Sequence, residues 1–147
     1  MPPHVPMEIE WLCTKLVWDF AYYMDQRQYE DLAALFTPDG LFDRVGQRLQ
    51  GRREIVEALS ARPLDQRTRH LTVGVHFLSA GPSEATAVVY NASHVGRGDQ
   101  SDTPSRYAMS QPIVLEFRDT YRRSLIGWRI AERIARMMLV PEDMPSR

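Results

Sequence analysis

Apolar residues recur at helical spacing up to about residue 60 of this chain. After Thr68 they recur at every second position. One small hairpin interrupts the helical part. Helices first, then an antiparallel meander, reads as the α+β class. At 147 residues the chain has the length of one domain. Its core is expected over about residues 7–140, with tails at 1–6 and 141–147.

Ile9, Leu12, Leu16, Phe20 and Tyr23 mark a first helix from about Met7 to Met24. Tyr29 to Phe36 reads as a second, short helix, stopped by the turn residues Thr37-Pro38-Asp39-Gly40. A small hairpin around Gly46 follows, and Gly51 opens a third helix, Arg52 to Ser60. Leu71, Val73, Val75 and Phe77 then alternate with Thr72, Gly74 and His76 as in a half-buried strand. Ala85 to His94 is a nearly continuous apolar strand, and Val95 to Ser105 a polar loop. Arg106 to Tyr121 is strand-like but broken at Pro112, which implies a bulge or an edge. Trp128 to Leu139 is the last strand.

Net charge is −1 with both signs interspersed, so the basic stripe that nucleic-acid binding needs is missing. Cys13 is the only cysteine, which leaves no disulfide framework or thiolate metal site. No apolar run has signal-peptide or membrane length, and the expectation is a soluble, cytoplasmic protein without a membrane partner. Lys15 is the only lysine and reads as a solvated helix position rather than a Schiff-base residue. His70 and His76 lie about 20 Å apart along one strand and cannot chelate one ion. Adding His94 gives no zinc-type spacing, so no metal and no cofactor are expected.

The segments Tyr23-Met24-Asp25, Leu35-Phe36-Thr37-Pro38-Asp39-Gly40, Gly51-Arg52-Arg53-Glu54-Ile55, Arg67-Thr68-Arg69-His70 and Gly127 to Arg133 occur in an order that resembles the nuclear transport factor 2-like (NTF2-like) superfamily. They are similar to its SnoaL-like branch, which includes scytalone dehydratase, hexachlorocyclohexane dehydrochlorinase and bile-acid 7α-dehydratase. The resemblance covers about residues 7–140. It implies a cone-shaped, mostly antiparallel curved sheet wrapped around the N-terminal helices, a cystatin-like roll with an apolar pocket. It also implies that Asp25 and His70 pair at the pocket wall, with Arg133 where such enzymes place a cation.

The residues themselves allow that chemistry. Imidazole is the side chain best suited to general-base work near neutral pH. A carboxylate on its far nitrogen fixes tautomer and orientation. Asp25 lies near a helix C-terminus, where the helix dipole disfavours negative charge, so a compensating partner is expected. His70 is one candidate; solvent or Arg27 are the alternatives. Alternation sets His70 opposite Leu71, Val73 and Phe77. Either a bulge intervenes or those residues form an association face. Arg129 and Arg133 alternate on one face of the last strand, and one of them is a candidate to hold a developing anion. Tyr22, Tyr23, Ile55, Val56, Tyr90, Asn91 and Tyr107 are candidate substrate contacts, with Asn91 supplying hydrogen bonds.

The expected function is a cofactor-independent lyase of dehydratase type, or an isomerase, acting on a small cyclic, polyketide-like or aromatic-precursor molecule. The competing readings are a non-catalytic subunit resembling the β subunit of aromatic-ring dioxygenases and a small-molecule binding domain. A homo-oligomer, dimer or trimer, is expected because strands 71–77 and 85–95 carry more apolar residues than one buried face requires.

Overall fold

The computed structural model describes residues 5–98 and 108–145. Three helices come first: α1 (Met7–Gln26), α2 (Tyr29–Ala34) and, after a hairpin, α3 (Arg52–Ser60). The strands are β1 (Phe36–Arg44), β2 (Gln47–Gln50), β3 (Gln66–Ala80), β4 (Glu84–Arg97), β5 (Ala108–Met109), β6 (Ile113–Ser124) and β7 (Gly127–Leu139). They form one sheet in the order β2-β1-β7-β6-β4-β3, with β5 on β4. Among the described residues, only β1 and β7 pair in parallel.

Helix α1 has Glu8 and Glu10 in its first turn, where the dipole favours them. It ends where Arg27 takes a left-handed conformation, φ 59°. Its buried stripe is Cys13, Leu16, Val17, Phe20 and Met24, rotated from the expected one, so Leu12 stays partly exposed. The ring of Phe20 meets Phe36, Phe42 and Phe117 at centroid distances of 6.2, 5.4 and 6.2 Å. These contacts seat the helix on the inner face of the sheet. At the other end, Leu32, Ile55 and Leu59 join α2 and α3 to the same core.

Two boundaries differ from the sequence reading. Helix α2 stops at Ala34, and Phe36 already pairs with Ile130. The segment Thr37–Gly40, expected to be a plain turn, is a bulge inside β1, because the next pair is Leu41 with Glu132. Gly40 is required there: a Cβ would lie 2.9 Å from the Cβ of Phe36. The polar loop expected from Val95 begins later, since β4 continues to Arg97. The break at Pro112 does separate β5 from β6.

Bulges also decide which side chains face inward. In β3, Thr72 pairs with Asn91 and Gly74 with Tyr90, so Val73 is one extra residue. Thr68 and His70 point inward before it, and Val75 and Phe77 after it. Leu71 and Val73 point outward. Of the alternatives left open by the sequence, a bulge does intervene: it leaves Leu71 and Val73 on the outer face and turns Phe77 inward. In β7 the pairs Thr120 with Glu132 and Tyr121 with Ile130 leave Ala131 as an extra residue. Arg133 consequently faces inward. Arg129 lies on the opposite face instead of alternating with it, a correction to the simple period.

Candidate functional site

The end of α1 and the start of β3 are stitched together by two arginines. Arg27 donates to the carbonyl of Gln66 at 2.7 Å and also to that of Pro63. Arg62, itself buried, donates back to the carbonyl of Met24 at 3.0 Å. Asp25, one residue before the end of α1, is thereby held against Thr68 and His70. Its Oδ1 accepts from the Thr68 hydroxyl at 2.9 Å, and its Oδ2 from the His70 backbone N–H at 2.9 Å. The His70 ring Nδ1 lies 2.6 Å from Oδ1. The side chains of His70 and Asp25 are 13% and 8% exposed, so the pair is sheltered but reachable.

An ionised carboxylate is only an acceptor, so the ring proton belongs on Nδ1. Neutral His70 then carries its free lone pair on Nε2, as a general base requires. His70 lines a cavity of about 160 Å³ between α1 and the inner face of the sheet. Phe20, Met24, Phe42, Phe117, Ala135 and Met137 give it mostly apolar walls, and Arg62, Gln66, Thr68 and Ser93 add polar groups at the His70 side.

The other expected site residues lie elsewhere. Arg133 is wholly buried and does not line the cavity. Its Nε and Nη2 bind both oxygens of Asp119 at 2.8 and 2.6 Å, and the guanidinium stacks 4.3 Å from Phe20 and 4.5 Å from Phe117. Burial works against its charge, but the Asp119 carboxylate outweighs that and holds the guanidinium proton above its ordinary range. Tyr22 and Tyr90 stand 57% and 56% exposed, Tyr22 on α1 and Tyr90 on the outer face of β4. Tyr23 and Val56 pack partly buried against the core, and Ile55 is fully inside it. Asn91 is buried on the inner face, one rung beyond Ser93, with Oδ1 unpaired. Tyr107 lies outside the described residues.

Arg62 escaped the sequence reading. All but one of the 18 basic residues are arginine, so none stands out by type. Its one local signal is the Pro63 that follows and ends the helical region. Among the described residues, no three His, Cys, Asp or Glu side chains converge as a metal site.

A family model described as a SnoaL-like domain matches residues 7–134. The chain belongs to the SnoaL-like family. Solved structures agree on the fold. An NTF2-like protein with a cystatin-like fold from Novosphingobium aromaticivorans is 21% identical, with TM-score 0.73, covering 90% of this chain and 83% of that one. A proposed dehydratase of the NTF2-like family from Streptomyces avermitilis is 17% identical, with TM-score 0.77, over 92% of this chain and 100% of that one. ActVI-ORFA from Streptomyces coelicolor is 18% identical, with TM-score 0.70, over 86% and 95%. At these identities the likeness is one of fold. No curated protein matches the sequence significantly. Within the SnoaL-like fold the expected cone-like arrangement holds, a curved mixed sheet around α1. Among the described residues no helix is long and apolar enough to cross a membrane.

Proposed function

We propose that this SnoaL-like protein is a cofactor-independent lyase of dehydratase type, or an isomerase, in which His70 removes a proton from carbon. The observation that carries this reading is the 2.6 Å contact between His70 Nδ1 and Asp25 Oδ1 at the wall of a mostly apolar cavity. Asp25 orients the ring and stabilises the imidazolium formed when Nε2 takes the proton. The SnoaL-like family includes polyketide cyclases and dehydratases, which supports the reaction class. The cavity of about 160 Å³ is close to the roughly 150 Å³ that holds one benzene ring. The favoured substrate is therefore a compact one-ring ketone or hydroxy-ketone with an acidic carbon–hydrogen bond.

Carbon–proton exchange tests this without knowing the product. Small cyclic ketones and β-hydroxy ketones are incubated with the protein in deuterated water, and loss of the α-proton signal is followed by NMR. Exchange well above buffer is expected for the native protein and near-buffer exchange for His70→Ala. Exchange that survives His70→Ala, or none across the panel, would overturn the proposal.

The same reading includes self-association, as a dimer or trimer. Leu71, Val73 and Tyr90 are 52%, 70% and 56% exposed on the outer face of the sheet, and such a patch seeks cover. Sedimentation at about tens of micromolar, a range that reveals weak association, should show an oligomer that Val73→Glu dissociates. A clean monomer would refute association.

A further inference from the structure

Asp25 carries its charge at the C-terminal end of α1, where the helix dipole disfavours a negative charge. Hydrogen bonds from Thr68 and His70 satisfy its oxygens but bring no fixed positive charge. The fixed cation hydrogen-bonded to the Thr68 hydroxyl of this cluster is Arg62. Its Nη2 donates to Thr68 Oγ1 at 3.0 Å, and its Nη1 to the Met24 carbonyl at 3.0 Å and the Tyr29 hydroxyl at 2.9 Å. Arg62 is only 7% exposed, and no carboxylate lies within ion-pair distance of it among the described residues. A buried guanidinium without a direct counter-ion and a buried carboxylate without a fixed cation are thus joined by one hydroxyl. The polarity of that link has a single solution. Arg62 has no acceptor, so Thr68 must accept from it and give its own proton to Asp25.

We propose that Arg62 is a positioning residue for the base, acting as the fixed counter-charge of Asp25 through the Thr68 hydroxyl. This rests on the reading of Asp25 and His70 as the proton-abstracting pair. Arg62 acts on the base through Thr68. Its positive charge offsets the Asp25 charge at a helix end that disfavours it, and the Asp25 carboxylate, held in place through Thr68, is what keeps the His70 proton on Nδ1 and frees Nε2. The ties from Arg62 to Met24 and Tyr29 fix the distance between helix and strand on which the 2.6 Å contact depends.

The test separates charge from shape by comparing Arg62→Lys, Arg62→Gln and Thr68→Val with the native protein and His70→Ala. Lysine keeps the charge, and glutamine keeps polar bonding without it. Four quantities are read: kcat and KM for exchange on the ketone probe, the thermal midpoint, and the downfield proton resonance of His70 Nδ1–H. Both Arg62 variants should lose similar thermal stability, since both lose ties. Arg62→Gln and Thr68→Val should lose kcat by about tenfold, as for one charge-assisted hydrogen bond, with KM little changed. Their Nδ1–H resonance should move upfield or vanish. Arg62→Lys should keep most of kcat and the resonance. Equal kcat in Lys and Gln variants with an unchanged resonance would overturn the proposal and leave Arg62 a structural tie. Activity surviving in His70→Ala would instead sink the base itself, and the resonance would still report whether Arg62 orders the pair.

Discussion

Two buried charge clusters sit on the inner face of this sheet, and they differ in what is left over. In the first, Asp119 accepts both bonds from Arg133 and a third from the Tyr121 hydroxyl at 2.6 Å, between two phenylalanine rings and away from solvent. Every charge there has a permanent partner. In the second, Asp25 faces an imidazole, which can take and release a proton, and the ring borders a cavity. One cluster is closed on itself and serves the core. The other keeps one nitrogen for an outside molecule. Burial of charge alone does not mark a site; burial with a spare lone pair at a cavity does.

The largest effect should come from the closed cluster. Arg133→Met leaves Asp119 buried and uncompensated, a class of change that costs about 3–5 kcal/mol. Urea unfolding should show that loss, and exchange activity per folded molecule should change much less than in His70→Ala. If activity falls a hundredfold with stability intact, Arg133 belongs to the chemistry after all and the contrast between clusters fails.

The open cluster should answer in the opposite way. His70→Ala and Asp25→Asn should each lose activity on a true substrate, His70→Ala by about 10²–10⁴-fold as for a missing general base. The double variant should be little worse than the poorer single, because the two act as one unit. His70→Ala should unfold close to the native midpoint, since its ring is not packed in the core. Additive losses in the double variant would mean that Asp25 and His70 act separately.

This contrast explains what the sequence could disclose. The order of elements follows from a change of period, and Asp25 and His70 stand in short, ordered motifs, so the SnoaL-like fold and the pair were legible. Val73 and Ala131 were not. Each is an ordinary apolar residue whose role as a bulge depends on pairing with a distant strand, and each reverses the face of every side chain that follows. Simple alternation therefore misplaced Arg129 relative to Arg133. Tyr90 faced the wrong side for a related reason: Val89 and Asn91 share the inner face of β4, and the tyrosine between them must point outward. Arg62 was invisible because its meaning lies in bonds to Met24, Tyr29 and Thr68, residues far apart along the chain.

The smallest effect is silent at neutral pH and isolates the closed cluster alone. Burial, and then the nearby Asp119 charge, push the Cys13 thiol from its ordinary 9.0 up to about 12. Burial, followed by Asp119, also holds the Tyr121 hydroxyl proton well above its usual range. Both groups keep their protons in the folded protein and lose them sooner in the unfolded chain. Above pH 9 the unfolded chain binds fewer protons, so stability falls as pH rises. The contribution of Cys13 is fully present below about pH 9 and is lost progressively toward pH 12. Unfolding free energies measured across that window should decline, and Cys13→Ala should decline less steeply while starting somewhat lower from the cavity it opens. The Asp25–His70 cluster takes no part in this, so His70→Ala should keep the native slope. An alkaline slope that flattens in His70→Ala but not in Cys13→Ala would show that the two clusters are coupled, and the division drawn between them would have to be abandoned.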